Sequence, residues 1–292
     1  MNKKVIRSTI TLAGDMFARG GNIATSEQLR TLCVINFGGG SVVPHAEISI
    51  YGMDMANMLK LTRIRWRDIK SMMNTIKIEA GDQGEELATV FEGNITFAYV
   101  DMSNAPDVAL RITSSTGALN IYQPASPITF KGSIPVVQAI NTLCGKIGSQ
   151  LENNGVPESL MMTDVTLTDT DLNKIRMLCK RYQIDLYIEQ RRISIAPQGA
   201  PRNTKIAIVR PGSGMIGYPV PTAQGLDVRC LLRPDIFFGG LIRIQNSVID
   251  SCNGDWRVFG VTLNLESELP GGNWFMDLRA TYNEPNNAAI SR

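Results

Sequence analysis

The sequence predicts a β-rich α+β chain in which two β regions flank a small α/β module, and three observations predict it. Apolar and polar residues alternate over most of the first 125 residues, the period of a half-buried strand. Between 129 and 204 the apolar spacing lengthens to that of amphipathic helices. From 205 to 292 alternation returns, cut into short runs by Pro211, Pro219, Pro221, Pro234, Pro270 and several glycines. At 292 residues the chain is long enough for two domains, or three small ones, each with its own core.

In chain order, Ala46, Ile48 and Ile50 alternate with Glu47 and Ser49. A short helix over 54–60 follows, with Met55, Met58 and Leu59 on one side. Ile76, Ile78 and Ala80 form the next alternating run, which stops at the turn signal Gly81-Asp82. Ile95, Phe97 and Tyr99 make another, and Val108, Leu110 and Ile112 resume after Asn104-Ala105-Pro106-Asp107. Each segment offers one apolar face, so the set can curl into a small barrel or a sandwich.

In the middle region, Ser133-Ile134-Pro135 reads as a helix start, a capping Ser followed by an early Pro. Its stripe is Ile134, Val137, Ile140, Leu143 and Ile147, and Gly148 ends it. Thr168-Asp169-Thr170-Asp171 opens a second helix through Leu172, Ile175, Leu178, Cys179 and Tyr182. Strands over 185–189 and 192–196 complete the module. Beyond it, 206–209, 227–232, 241–245, 256–265 and 274–282 read as strands, the last two as a long hairpin about Leu269-Pro270-Gly271-Gly272-Asn273.

Composition excludes several function classes. The 29 basic and 27 acidic residues leave a net charge of +2, with no concentrated cationic run. Phosphate neutralisation supplies most nucleic-acid affinity, so no specific nucleic-acid partner is expected. No apolar run reaches the ~18 residues that a membrane helix needs, and the basic N-terminus leads into alternation rather than a signal-peptide core. No stable membrane association is expected. Five widely spaced cysteines without a CxxC pair read as reduced core thiols of a cytoplasm-made protein. A charged fraction of 19% is low, which points to burial inside the fold or at interfaces.

The candidate chemical motifs fail on their own requirements. Gly212-Ser213-Gly214-Met215-Ile216-Gly217 matches the dinucleotide fingerprint, but Tyr218-Pro219-Val220-Pro221 prevents the helix whose N-terminus must meet the pyrophosphate. Asp169-Thr170-Asp171-Leu172-Asn173 imitates a calcium loop. However, Lys174 and Lys180 stand where that loop needs Gly and Glu. His45 is the sole histidine, which rules out zinc sites needing two or three imidazoles. A Cys–His nucleophilic pair and an acid–base carboxylate pair stay open arithmetically, without a local signature for either. Gly38-Gly39-Gly40 lacks the ending of a phosphate loop. No catalytic residue, metal or cofactor is assigned, and the chain reads as not an enzyme. Trp66 between Arg65 and Arg67 either anchors an interface or lies on a half-buried strand with its basic neighbours in water.

One stretch is more specific than composition. Ala46-Glu47-Ile48-Ser49-Ile50-Tyr51-Gly52-Met53 runs into the short helix, and Ile76-Lys77-Ile78-Glu79-Ala80-Gly81-Asp82 precedes Val90-Phe91-Glu92-Gly93-Asn94-Ile95. This order resembles the N-terminal domain of phage tail baseplate hub proteins of contractile tails, the late-control D type and the hub part of type VI secretion spikes included. The helix after Ser133 and the segments Ile216-Gly217-Tyr218-Pro219 and Gln224-Gly225-Leu226-Asp227-Val228 resemble later parts of the same family.

The resemblance implies two tube-like β-barrel domains, 1–128 and 205–292, with the α/β module 129–204 between them. It implies a structural protein of the virion tail baseplate, assembled in the host cytoplasm. Three copies would form a ring that adapts a hexameric tail tube to a trimeric central spike. The implied partners are further copies in a homotrimer, the tail tube protein, a spike on a separate polypeptide and other baseplate proteins. Met53, Met55 and Met58 can supply an adaptable contact or pack the short helix on its own barrel, and Arg65, Trp66 and Arg67 complete the candidate interface. The alternative readings are a tail tube or tube-completing ring protein and, further off, a tail-associated cell-wall hydrolase. Carbohydrate binding through Trp66 or Trp256 is a smaller alternative.

Overall fold

A computed structural model describes residues 3–38, 42–62, 71–189, 191–202 and 205–283. It divides into two compact units, and the long C-terminal strands contribute to both. The first comprises Met1–Phe37, Val43–Leu119 and Thr262–Met276; the second comprises Gly38–Val42, Asn120–Val261 and Asp277–Arg292. The β-rich α+β class is as the alternation predicts.

The first unit contains β1 (Lys4–Thr11), β2 (Ile23–Ser26), β3 (Thr31–Phe37), β4 (His45–Tyr51), α1 (Met55–Leu61), β5 (Thr75–Asp82), β6 (Ala88–Asp101) and β7 (Ala109–Ser115). Its antiparallel strands run in the order β2-β1-β5-β6-β7-β4-β3. The register sets Ile10 opposite Ile76 and Ile48 opposite Ile112, which stacks the apolar positions of neighbouring strands on one face. Ile6, Ile10, Ile35, Ile48, Ile50, Ile76, Ile78 and Leu110 are fully buried there. Each such side chain contributes about 1.5–3 kcal/mol by leaving water. Bulges interrupt β6 against both neighbours. Gly93 lies between the two bulges at a crowded place: a Cβ there would stand 2.7 Å from the Phe91 ring and 2.8 Å from Ser114 Oγ.

A short helix, α2 (Ala118–Tyr122), follows. The second unit then runs through β8 (Ile128–Pro135), α3 (Val136–Lys146), β9 (Gln150–Asn153), β10 (Met161–Leu167), α4 (Asp171–Arg181), β11 (Ile184–Ile188) and β12 (Arg192–Pro197). It continues with β13 (Ile206–Val209), β14 (Met215–Thr222), β15 (Gly225–Leu231), β16 (Leu241–Ile244), β17 (Gly254–Ser267) and β18 (Trp274–Tyr282). α3 and α4 pack together over the three-stranded sheet β11-β12-β9, burying Ile140, Leu143, Ile175, Leu178, Ile193 and Ile195. β8 and β10 form a two-stranded ribbon, and the C-terminal strands run β14-β15-β18-β17-β16-β13, with β13 parallel to β16.

Local signals account for the helix ends. α3 closes on Gly148 at φ 69°, with Ser149 N–H donating to Cys144 O at 2.9 Å and Gly148 N–H to Gly145 O at 3.2 Å. This is a Schellman arrangement that only a residue tolerant of positive φ accepts readily. α4 starts at Thr170, whose hydroxyl accepts from Asn173 N–H.

The start of α3 differs from the sequence expectation. Ser133, Ile134 and Pro135 belong to β8, paired with Thr163, Met162 and Met161, and the helix begins at Val136 without a side-chain cap. Pairing with a strand some thirty residues away outweighs the local capping signal.

The glycines of 212–217 also serve a strand. Gly212, Gly214 and Gly217 all have positive φ, and the chain enters β14 rather than a helix. Among the described residues β14 pairs with β15 alone, so it tolerates Pro219 and Pro221, which cannot donate to a ladder.

Candidate assembly interface

Gly52, at φ 78°, turns the chain out of β4 towards α1. A helix of seven residues is unstable alone, and α1 is held from several directions. Met58 and Leu61 are buried, Asn57 Oδ1 accepts from Ala18 N–H at 2.9 Å, and Lys60 reaches Asp15 at 3.2 Å. Thr62 ends it, returning both its N–H and its hydroxyl to Met58 O. The outward side keeps Met55 and Leu59 exposed, Leu59 at 58%.

This anchoring leaves a cleft of about 310 Å³ lined by Tyr51, Gly52, Met53, Met55, Met58, Pro106, Asp107 and Val108. The three methionines singled out in the sequence therefore meet at one place, Met53 from the segment before the helix and the other two from α1 itself. Arg65, Trp66 and Arg67 lie outside the described residues. Sequence reasoning missed the opposite wall, Pro106 to Val108, which a turn about fifty residues later brings in; only its Asn-Ala-Pro-Asp turn signal was visible.

The rim is polar. Arg30 stacks on the Tyr51 ring at 4.5 Å, and Arg111 donates to Asp101 at 3.1 Å and to Ser49 Oγ at 2.6 Å. Hydrogen bonds from Ser103 and Arg111 hold the Asp101 carboxyl below the usual carboxylate range.

A second apolar surface, not anticipated from the sequence, lies on the free edge of the second unit. On β14, Ile216, Tyr218 and Val220 are exposed, Val220 at 60%. The signal available was the apolar residues interleaved with Pro219 and Pro221, a composition suited to an edge.

In the second unit most charged groups are used internally. Lys174 is fully buried on α4, where Nζ donates to Ser126 O at 2.6 Å and to Asp171 at 2.8 Å. Arg202, 5% exposed, pairs with Glu189 at 2.6 Å and stacks over Tyr187 and Phe237. Arg257 reaches Asp185 at 3.2 Å.

Several residues weighed for chemistry are occupied or shielded. Burial pushes the thiols of Cys144, Cys179 and Cys230 up to about 12 and raises Cys33 as well, so none supplies a thiolate at neutral pH. His45 Nε2 lies 3.4 Å from Asn36 Nδ2. Asp169 accepts from Thr170 N–H and Asn173 at the start of α4, which is the use that the false calcium loop finds. Glu266 accepts from Asn273 N–H, and Glu268 pairs with Lys3 at 2.6 Å. Trp256 is buried, its indole donating to Cys252 O. Among the described residues no three His, Cys, Asp or Glu side chains gather as a metal site, and no helix is long and apolar enough to cross a membrane.

Solved structures share this fold. The chain is similar to the 43 kDa tail protein of prophage MuSo2 from Shewanella oneidensis, with TM-score 0.60, 8% identity and 97% of each chain covered. It is similar to a tail protein from Neisseria meningitidis, with TM-score 0.59, 10% identity and coverage of 96% of this chain and 97% of the other. It is also similar to an E. coli component of the type VI secretion system described as structurally similar to the T4 bacteriophage tail proteins gp27 and gp5. There the TM-score is 0.59 at 14% identity, covering 91% of this chain and 77% of that one. At such identities the likeness defines the fold, that of phage tail proteins and their secretion-system counterparts. No curated protein matches the sequence. The family model for baseplate hub gp41 matches residues 6–270, and the chain belongs to that family.

Proposed function

We propose that this hub protein works as a symmetry adaptor in the tail baseplate of a virion, assembled in the host cytoplasm. Three copies form a homotrimeric ring. Each offers two tube-like barrels, 1–128 and 205–292, joined through the module 129–204, so that six barrels face a hexameric tail tube while the threefold axis serves a spike on another polypeptide. Met53, Met55, Met58, Arg65, Trp66 and Arg67 contribute to subunit contacts, and other baseplate proteins bind around the ring. The role is adhesive, without catalysis or a cofactor. The family match over 6–270 carries this reading. The fold shared with the E. coli secretion component supports it, as does the low charged fraction, which suits a chain that buries surface against neighbours.

Light scattering on the purified full-length chain, alone and mixed with its tube protein, tests the proposal. The expected mass is three times 32.0 kDa. A chain that remained monomeric at all concentrations and captured no tube protein would overturn it.

A further inference from the structure

A glycine follows an asparagine at two places in the chain, Asn154-Gly155 and Asn253-Gly254. That pair is the one most open to spontaneous deamidation, because a glycine nitrogen has no neighbouring side chain to obstruct its attack on the asparagine amide. The structure sets the two places apart. Asn253 is clamped on both amide atoms: Oδ1 accepts from Ser247 N–H at 2.9 Å and Nδ2 donates to Ser247 O at 3.2 Å. Gly254 lies within β17, opposite Ile244. Asn154 is half-buried just past β9, and its Nδ2 donates to Glu152 Oε1 at 3.0 Å. Gly155 is exposed, at φ 97°, and a Cβ there would approach nothing nearer than Pro197 Cδ at 4.0 Å. Among the described residues the Asn154 amide is thus held by one flexible side chain, whereas backbone groups hold Asn253.

We propose that Asn154 is a site of spontaneous deamidation and that its conversion loosens the end of β9. The Gly155 nitrogen attacks Cγ of Asn154. The new N–C bond closes a succinimide, the Cγ–Nδ2 bond breaks, and the amide leaves as ammonia with the proton that Gly155 gives up through solvent. Water then opens the ring on one side or the other, leaving aspartate or isoaspartate at 154. Either product replaces a donor to Glu152 with a second carboxylate, and like charges so placed disfavour each other. The Glu152 carboxylate is also the group that Arg192 reaches at 3.3 Å and Arg202 at 3.6 Å. Isoaspartate in addition inserts a methylene into the backbone of a tight turn. Asn153 closes that turn, donating to Val156 O at 2.9 Å and accepting from Val156 N–H at 2.8 Å. Asn154 N–H ties it to β12 through Ile195 O at 2.7 Å.

Timed incubation of the full-length chain in mildly alkaline buffer, folded and in urea, tests it, with peptide mapping by mass spectrometry after each interval. Cleavage after Lys and Arg puts Asn154 in the fragment 147–174 and Asn253 in 244–257, so the two conversions are read separately. The expected result is conversion at Asn154 about tenfold or more faster than at Asn253 in the folded chain, with the two rates drawing together in urea. The folded chain aged in this way should exchange backbone hydrogens faster over 150–156. Asn154→Gln, whose longer side chain closes the ring far more slowly, should show neither change.

No conversion at Asn154 in the folded chain overturns the proposal, and so does conversion at Asn253 at an equal or greater rate. A contrast between the two sites that persists unchanged in urea traces to the neighbouring sequence and overturns the structural cause. Conversion at Asn154 with exchange over 150–156 unaltered overturns the loosening of β9.

Discussion

The helix α1 and the helix α4 solve the same problem in different ways. α4 has eleven residues, a hydroxyl cap at Thr170, an acid in its first turn and two cations in its last, and it buries Lys174 with its partners. α1 has seven residues and no side-chain cap, and its outward side leaves Met55 and Leu59 in water. The Lys174 ammonium and the Thr170 cap are satisfied within the chain, which helps to fix α4, although among the described residues Arg176 Nε on the same helix is buried without a partner. Around α1, apolar surface stays exposed beside a cleft. The difference separates an element that holds the protein together from one free to hold something else.

The sharpest way to break the comparison is through Lys174. Replacing it with Met keeps the volume but leaves the Ser126 carbonyl and Asp171 without their cation. The expected loss is about 3 kcal/mol, at the low end for a broken buried pair because Asp171 retains some access to water. Urea denaturation measures it, and a neutral result would mean that α4 is not fixed by this contact.

Gly239→Ala should come next. Its Cβ would stand 2.4 Å from the Tyr187 ring at a backbone φ of 83°, so a loss of about 1–3 kcal/mol is expected from overpacking and strain. The same denaturation experiment reads it.

A smaller effect concerns acid. Burial pushes Glu152 up, but hydrogen bonding from Asn154 and the charges of Arg202 and Arg192 outweigh it, and the folded carboxyl titrates below its ordinary value. A lowered folded pKa means that the contribution is complete above the unfolded carboxylate value and fades as pH falls through the folded one. Glu152→Gln should therefore flatten the acid side of the stability–pH profile, with melting curves from neutral to acidic pH as the check.

Smallest of all should be Leu59→Ser on α1. Its exposed side chain predicts a stability change within about 0.5 kcal/mol. A large loss would mean that the outward side of α1 supports its own fold, as the buried side of α4 does.

Where both partners of a contact were close in sequence, the sequence was legible. The alternation at 46–50, 75–80 and 108–112 became β4, β5 and β7, and the stripes through Ile140 and Ile175 became the facing sides of α3 and α4. Elements defined by distant partners were not. β9 is four residues long and exists through parallel pairing with β12. β8 overrode a capping signal because it pairs with β10. β3 is the exception, since it was not read although its partner β4 follows it directly in the chain. The cleft followed the same rule. Its methionines stood out because they recur within six positions, while Asp107 and Val108 arrive from a separate turn that no local pattern connects to α1.

Electron microscopy of the assembled baseplate, with this chain placed in the density, tests the symmetry adaptor most directly. The expected result is three copies around the axis, presenting six similar β-barrels to the tail tube. A ring of six copies, or three copies with only one barrel each against the tube, would contradict it.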